Sequence, residues 1–394
     1  MHVIYVEDRD ELDEYPTEKT YQFDDDIVAI IDDDSVITDL FFTYNFDTIT
    51  DIDEEFTVSP CVNLNDVSIN RDNIASMDEI RSLHSIPSGG QKTGSNQTVV
   101  VMDSGIDGEH PLFNDISIER YNMTSSTDQD SVGHGTACAG QIHRIAPDAE
   151  LISLRIFDSK GNSGMDPIFS AYEWLNNNTD KFDIVNMSWG ASRNVPVLNR
   201  VHEKLISKDV QDVVAAGNNG GIGNGGSPAT SPSAYSVGAC DISGQITNFS
   251  SYNPNSGNPE IASVGKDNRL AQANGTQMGI SLGGPYVKAS GTSFSAPQVA
   301  GMIAKYEDIS IAENLVNEAR DVPRTKEDGS GLADYQLAYD ASDLTQSDNL
   351  NVVDSGTVKI WNFVGYDSMF LKKDWFDNGT YNAELFDDGS MTIK

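Results

Sequence analysis

From about residue 97 onward, short apolar runs rich in β-branched residues alternate with stretches of helical periodicity, and this alternation constrains the chain more than any other feature. Thr98-Val99-Val100-Val101-Met102 is the clearest run, and similar ones follow at 151–156, 184–187, 210–216 and 235–239. A strand buried on both faces reads as an unbroken apolar run, which is the pattern of a parallel sheet. Helical patterns lie between these runs at 136–143, 167–176 and 196–207. The alternation predicts an α/β fold: a doubly wound, mostly parallel sheet with helices on both faces. It closes near Gly331-Leu332-Ala333-Asp334-Tyr335, which gives a domain over 89–342.

The flanks differ in texture. The first 60 residues carry 19 carboxylates against Arg9 and Lys19, interrupted by apolar runs at 3–6, 27–31, 36–46 and 56–64. These predict a β-rich, acidic N-terminal segment over 1–88, ending at the turn signal Pro87-Ser88-Gly89-Gly90. At 343–394, Asn378-Gly379 and Asp388-Gly389 are two-residue hairpin signals. Trp361, Phe363, Phe370, Trp375 and Phe376 supply apolar mass there, so a small C-terminal β-meander is expected.

Charge excludes several functions. Of 394 residues, 25 are Lys or Arg and 61 are Asp or Glu, for a net charge of −36. Nucleic acids and anionic lipid surfaces need a basic face, so neither is an expected partner. No apolar run approaches the roughly 18 residues that span a bilayer, so no membrane partner is expected. The apolar runs argue against disorder. Only 14 of the cations are Lys, which points to a halophilic chain. At about 1 M salt the Debye length falls to about 3 Å and the self-repulsion largely vanishes. The three cysteines, Cys61, Cys138 and Cys240, are odd in number and form no CxxC pair, which argues against a disulfide framework or a structural zinc. The N-terminus lacks a leader pattern, so a cytoplasmic location is expected; a mis-assigned start would make it extracellular. A monomer is expected.

Four segments carry chemistry. Asp103 ends the first buried strand, where α/β sheets place their active sites. His134 sits between glycines in Gly133-His134-Gly135-Thr136-Ala137-Cys138-Ala139-Gly140 and can approach other backbones closely. Ala215-Ala216-Gly217-Asn218 ends a strand in a turn that presents an amide. Gly291-Thr292-Ser293-Phe294-Ser295-Ala296-Pro297-Gln298 puts Ser293 at a helix N-terminus, where backbone N–H groups favour negative charge. Taken singly, the first three fit ordinary turns as well; the fourth is the most specific.

In the order Asp, His, Asn, Ser, these segments resemble the subtilisin-like serine proteases, the subtilases. The resemblance runs over roughly 85–342. It implies a subtilisin-like fold and a serine endopeptidase acting on protein or peptide substrates. Ser293 would be the nucleophile, His134 the general base, Asp103 its orienting partner, and Asn218 the oxyanion-hole amide. It further implies that Ser188, Trp189 and Gly190, with Ala215, Ala216 and Gly217, wall the cleft. Gly161 to Gly164 would bind the peptide as an added strand. No cofactor is required on this reading. The Asn-rich loop by which subtilases commonly help bind a calcium is missing after Gly140, so no metal ligand is assigned; calcium elsewhere stays possible and cannot be read from the acidic residues.

Gln298 stands where the family usually has His, and Ala137-Cys138 where it usually has His-Val. Cys138 lies one helical turn from His134 on the same face and reads as a small buried residue. Two other readings stay open: a catalytically idle subtilase-fold binding or structural module, and an esterase-type acyl hydrolase, against which the absence of Gly-x-Ser-x-Gly counts. Residues 1–88 fit either a pro-domain or a retained accessory domain. If they are a pro-domain, cleavage is expected between Leu83 and Gln97.

Overall fold

The computed structural model describes residues 2–6, 17–24, 26–31, 49–51, 57–62, 74–90, 92–221, 223–252, 258–321, 331–346, 352–360, 379–386 and 391–393. They divide into two units, Met1–Tyr339 and Asp340–Lys394.

The first unit opens with β1 (His2–Val6), β2 (Lys19–Phe23), β3 (Asp26–Ile31) and β4 (Ile49–Asp51), an antiparallel sheet in the order β2-β3-β1-β4. Then come β5 (Val58–Pro60) and α1 (Met77–Leu83). Helix α1 starts at a capping box, in which Ser76 and Glu79 satisfy each other's backbone N–H groups.

The central sheet is built from β6 (Thr98–Asp103), β7 (Ile118–Asn122), β8 (Glu150–Arg155), β9 (Ile184–Met187), β11 (Gln211–Ala215), β12 (Ser236–Cys240) and β13 (Ile261–Val264), with β10 (Trp189–Ala191) outside it. It has seven strands in the order β13-β12-β11-β9-β6-β8-β7, and every pairing is parallel. The helices are α2 (His134–Ile145), α3 (Met165–Asn177), α4 (Pro196–Ile206), α5 (Thr292–Tyr306) and α6 (Ile311–Asn317). Alternate residues of β6 serve opposite layers: Val100 and Met102 pack with α3 and α4, Val99 and Val101 with α2 and α5. This is the doubly wound α/β architecture expected from the apolar runs. Its crevice opens at the carboxyl ends of β6, β9 and β11.

The N-terminal sheet packs on the first of these layers. Val3, Tyr5, Tyr21, Phe23, Val28 and Ile30 share one core with Phe169, Tyr172, Leu198 and Val201. Charged pairs rim the seam, with Lys204 Nζ 2.8 Å from Asp26 and Lys208 Nζ 2.7 Å from Asp24. A small antiparallel sheet, β14 (Asn268–Ala271), β15 (Ile280–Ser281) and β16 (Tyr286–Ala289), leads into α5.

Strands β7 and β13 escape sequence reading: β7 exposes Glu119 and Arg120 at the sheet edge, and β13 has the small residues Ala262 and Ser263 between its two β-branched ends. The division at Tyr339 falls inside α7 (Tyr335–Gln346). In the second unit β17 (Val352–Ile360), β18 (Gly379–Phe386) and β19 (Met391–Ile393) form an antiparallel sheet. Ile360 pairs with Gly379, which begins β18, and Asn378 lies outside the described residues. Asp388-Gly389 falls between the paired β18 and β19. The run 36–46, the aromatics of 361–376 and Asp388-Gly389 itself lie outside the described residues.

Candidate active site

Asp103 ends β6, and the small residues flanking His134 bring α2 against it. Gly133 has φ 93°, and a Cβ there would come within 2.6 Å of Thr276 Oγ1. A Cβ on Gly135 would lie 2.2 Å from the Gly105 carbonyl oxygen, so only glycine permits this approach. His134 Nδ1–H donates to both Asp103 oxygens, at 2.8 and 2.9 Å, and both side chains are fully buried. Burial alone pulls the imidazole down, but the Asp103 carboxylate outweighs it and holds the ring well above its usual range. The bond to Asp103 fixes the proton on Nδ1 and leaves Nε2 available. Nε2 is buried with no hydrogen-bond partner among the described residues.

A second carboxylate, which sequence reading missed, anchors the turn into α2. Asp130 accepts from Ser104 Oγ (2.8 Å), Gly133 N (2.7 Å), Thr136 N (3.0 Å) and Thr136 Oγ1 (2.6 Å). Burial raises its pKa despite these donors. Its signal in the sequence was only an Asp three residues ahead of the N-cap glycine of α2.

Ser293 sits in the first turn of α5, every residue of which is buried. Its Oγ donates to the Ser188 carbonyl at 2.6 Å, and Ser188 Oγ donates to the Ser293 carbonyl at 3.0 Å. The hydroxyl is therefore turned to Ser188 and not to His134. Cys138 bridges the two: its Sγ is 3.8 Å from His134 Nδ1 and donates to Ser293 O at 3.4 Å. Burial raises the Cys138 thiol, so it stays neutral.

Asn218 follows β11. Its Oδ1 accepts from Thr292 N (2.9 Å) and Thr292 Oγ1 (3.1 Å), which fixes the amide. Nδ2 is left buried without a partner among the described residues. Gly217 N–H donates to Thr292 Oγ1 at 3.1 Å, so the Ala215-Ala216-Gly217 edge is tied to the same turn. Trp189 is fully buried beside Gly190 in β10. The segment containing Gly161 and Gly164 presents Ser163 across from β10, and residues 58–62 lie between these two edges. Nothing in the sequence pattern anticipated that occupant.

Gln298 is a core residue. Its Oε1 accepts from Ser263 Oγ (2.7 Å), and its Nε2 donates to Val264 O (2.8 Å) and Asn268 Oδ1 (3.0 Å). Asp103, His134 and Cys138 are the described residues whose ligand atoms could converge on one ion. A neutral thiol and an imidazole suit calcium poorly, since it takes oxygen ligands. Helix α2 runs unbroken from His134 to Ile145.

A model of the subtilase family, Peptidase S8, matches residues 94–321. Subtilisin NAT of Bacillus subtilis subsp. natto is 32% identical over 268 residues, covering 62% of this chain and 66% of that protein. The chain thus spans just under two thirds of that relative's length. A subtilisin of Bacillus pumilus is 31% identical, covering 62% of this chain and 92% of that protein. Among solved structures, a lanthipeptide protease superposes with a TM-score of 0.57 at 21% identity, covering 69% of this chain and 97% of that one. A cold-adapted subtilisin-like serine proteinase gives 0.53 at 23% identity, covering 64% and 95%. No described helix is long and apolar enough to cross a membrane.

Proposed function

The chain belongs to the subtilase family, and from that premise we propose that it is a serine endopeptidase whose triad is Asp103, His134 and Ser293. The observation that carries this reading is the doubly bonded, fully buried Asp103–His134 pair with an unpartnered Nε2. Ser293 attacks the scissile carbonyl once its hydroxyl turns from Ser188 to His134 Nε2. His134 takes that proton and later delivers it to the leaving amine; Asp103 holds the tautomer and stabilises the imidazolium. The Ser293 N–H and Asn218 Nδ2 receive the oxyanion, in a buried site where such donors count most. Protein and peptide chains are the substrates, bound between the 161–164 and 188–190 edges.

Replacing Ser293 with Ala should reduce casein hydrolysis by about 10⁴-fold or more and remove labelling by a fluorophosphonate, with the circular dichroism unchanged. A variant that keeps a tenth of the activity defeats the assignment. The net charge of −36 supports adaptation to high salt. Dialysis from molar to dilute salt should abolish near-ultraviolet circular dichroism. Unchanged structure and activity in dilute buffer would refute that part of the reading.

A further inference from the structure

Helix α2 begins at a residue that cannot cap it. Gly133 is the N-cap; its φ of 93° and the Thr276 hydroxyl, 2.6 Å from where a Cβ would stand, exclude a side chain there. The first turn of a helix leaves its N–H groups without intrahelical partners, and inside a protein each needs an acceptor. Asp130, three residues earlier and buried, supplies one. Its Oδ1 accepts from Val132 N (3.1 Å) and Gly133 N (2.7 Å), and its Oδ2 from Thr136 N (3.0 Å). Gly135 N–H goes instead to Ser104 Oγ at 2.9 Å. Ser104 Oγ is free to accept there because it gives its own proton to Asp130 Oδ1 at 2.8 Å.

These bonds close a ring around the Asp103–His134 pair. Ser104 follows Asp103 in the chain and donates its N–H to Asp103 Oδ1 at 2.7 Å. Gly135 follows His134. The Gly135–Ser104 bond and the His134–Asp103 bond therefore join the same two segments, and Asp130 grips one through Ser104 and the other through Thr136. Thr136 Oγ1 donates to Asp130 Oδ2 at 2.6 Å and accepts from Asp107 N at 2.9 Å, so the loop after β6 hangs on the same carboxylate. Arg155, at the end of β8, fixes the segment that carries Asp130: it donates to Thr127 O (2.7 Å), to Gln129 O and to Ser131 Oγ (3.1 Å). The titratable and charged groups around the pair are Asp103 from β6, Cys138 from α2, Cys61 after β5, and Asp130 with Arg155 behind it. From α5 the ring of Phe294 faces His134 and brings no charge.

Resting on the endopeptidase reading above, we infer that Asp130 is a positioning residue for catalysis: acting through Ser104 and the first turn of α2, it holds the His134 ring against Asp103, and its charge keeps that ring a stronger base. None of its bonds reaches Ser293 or the imidazole, so its action is indirect. A helix N-terminus carries a partial positive charge that depresses the basicity of a histidine placed on it, and His134 is the first residue of α2. A buried carboxylate at that terminus offsets the helix field, and five N–H and O–H donors favour its ionised form. The loss of Asp130 should therefore appear in kcat and in pH dependence, and not in substrate binding.

Asp130→Asn keeps the size of the side chain and the three bonds to Oδ1, but removes the charge and the acceptor of Thr136 N–H. In molar salt, kcat for casein should fall about 10- to 100-fold with KM within about threefold, the scale of loss for a misplaced catalytic group. The acid limb of the pH–kcat profile should move down by about half a unit or more. Ser104→Ala keeps the charge and breaks the link to Gly135, so kcat should fall about tenfold with the limb unmoved. In the Ser293→Ala background, proton NMR titration of the His134 Nδ1–H should show the same downward shift for Asp130→Asn and none for Ser104→Ala. An unchanged kcat, or a loss confined to KM, in a folded Asp130→Asn overturns the claim on position, whatever its stability to denaturant. An unmoved limb and titration overturn the claim on charge. Should Asp130→Asn not fold, Ser104→Ala decides: a lower kcat at constant KM upholds the inference, and an unchanged kcat overturns it. A wild type that turns over no casein sinks the endopeptidase reading separately; the titration needs no turnover, and its shift or its absence then decides whether Asp130 governs the ring.

Discussion

Among the described residues the first unit holds two buried His–Asp pairs, and they differ in what the far side of the ring meets. His134 gives Nδ1 to Asp103, and its buried Nε2 has no partner among the described residues. His202 lies 3.0 Å from Asp212 through Nε2 and 3.0 Å from the Tyr172 hydroxyl through Nδ1, so both ring nitrogens are used. Asp212 also accepts from Tyr235 N at 2.8 Å. Burial and an acidic partner are therefore common to a candidate general base and to a structural crosslink. What separates them is a nitrogen left over. The Tyr172–His202–Asp212 chain pins α3 and α4 to β11 and uses all the hydrogen-bonding capacity of its ring.

Removing each histidine should break the comparison most visibly. His134→Ala should cost about 10⁴-fold or more in kcat/KM with the protein still folded, because triad members act as a unit. His202→Ala should leave kcat/KM within a few-fold and instead lower stability by about 2–4 kcal/mol, through a cavity and the unpaired Asp212 and Tyr172 groups. Chemical denaturation beside casein turnover reads both; loss of catalysis without loss of stability at His202 would erase the distinction.

Asn218→Ala sharpens the catalytic side. It should reduce kcat by about 10²–10³-fold with little change in KM, the size of loss known for the oxyanion-hole Asn of a subtilisin. A fall confined to KM would mean the amide binds substrate and does not stabilise the oxyanion.

The smallest effect expected is on pH. Asp103 holds the His134 pKa above its usual range, and the general base must be neutral, so activity should decline as pH falls through that raised value. The stability term has the opposite sign. A histidine whose folded pKa is raised stabilises fully below its unfolded value, about 6.5, and loses that contribution as pH rises through the folded one. Asp103→Asn should lower the apparent pKa of the activity limb as well as the rate. An unmoved limb in the pH–rate profile would assign it to another group.

The sequence by itself determined the α/β class and pointed to candidate site residues. Val99 to Met102 can be buried on both faces only in a covered parallel sheet, and the glycines around His134 announce a close backbone approach, so both were legible from residue type and spacing. Gln298 was legible as a departure but not as a core bridge from Ser263 to Val264, since its partners are distant in sequence. Asp130 escaped because an Asp before a helix is common, and only its five hydrogen bonds, from Ser104, Val132, Gly133 and Thr136, distinguish it. Strands β7 and β13 escaped for the complementary reason: an edge strand with exposed charges and a strand with Ala262 and Ser263 at its centre carry too little apolar signal. The tertiary structure alone decided the occupancy of the cleft. Val58 to Val62 has no motif, and its position arises from main-chain pairing with Ser163 and β10. Side-chain pattern fixes which residues face a core. Main-chain pairing between segments more than a hundred residues apart leaves almost no mark on either partner, and here it is what brings Cys61 to Ser293.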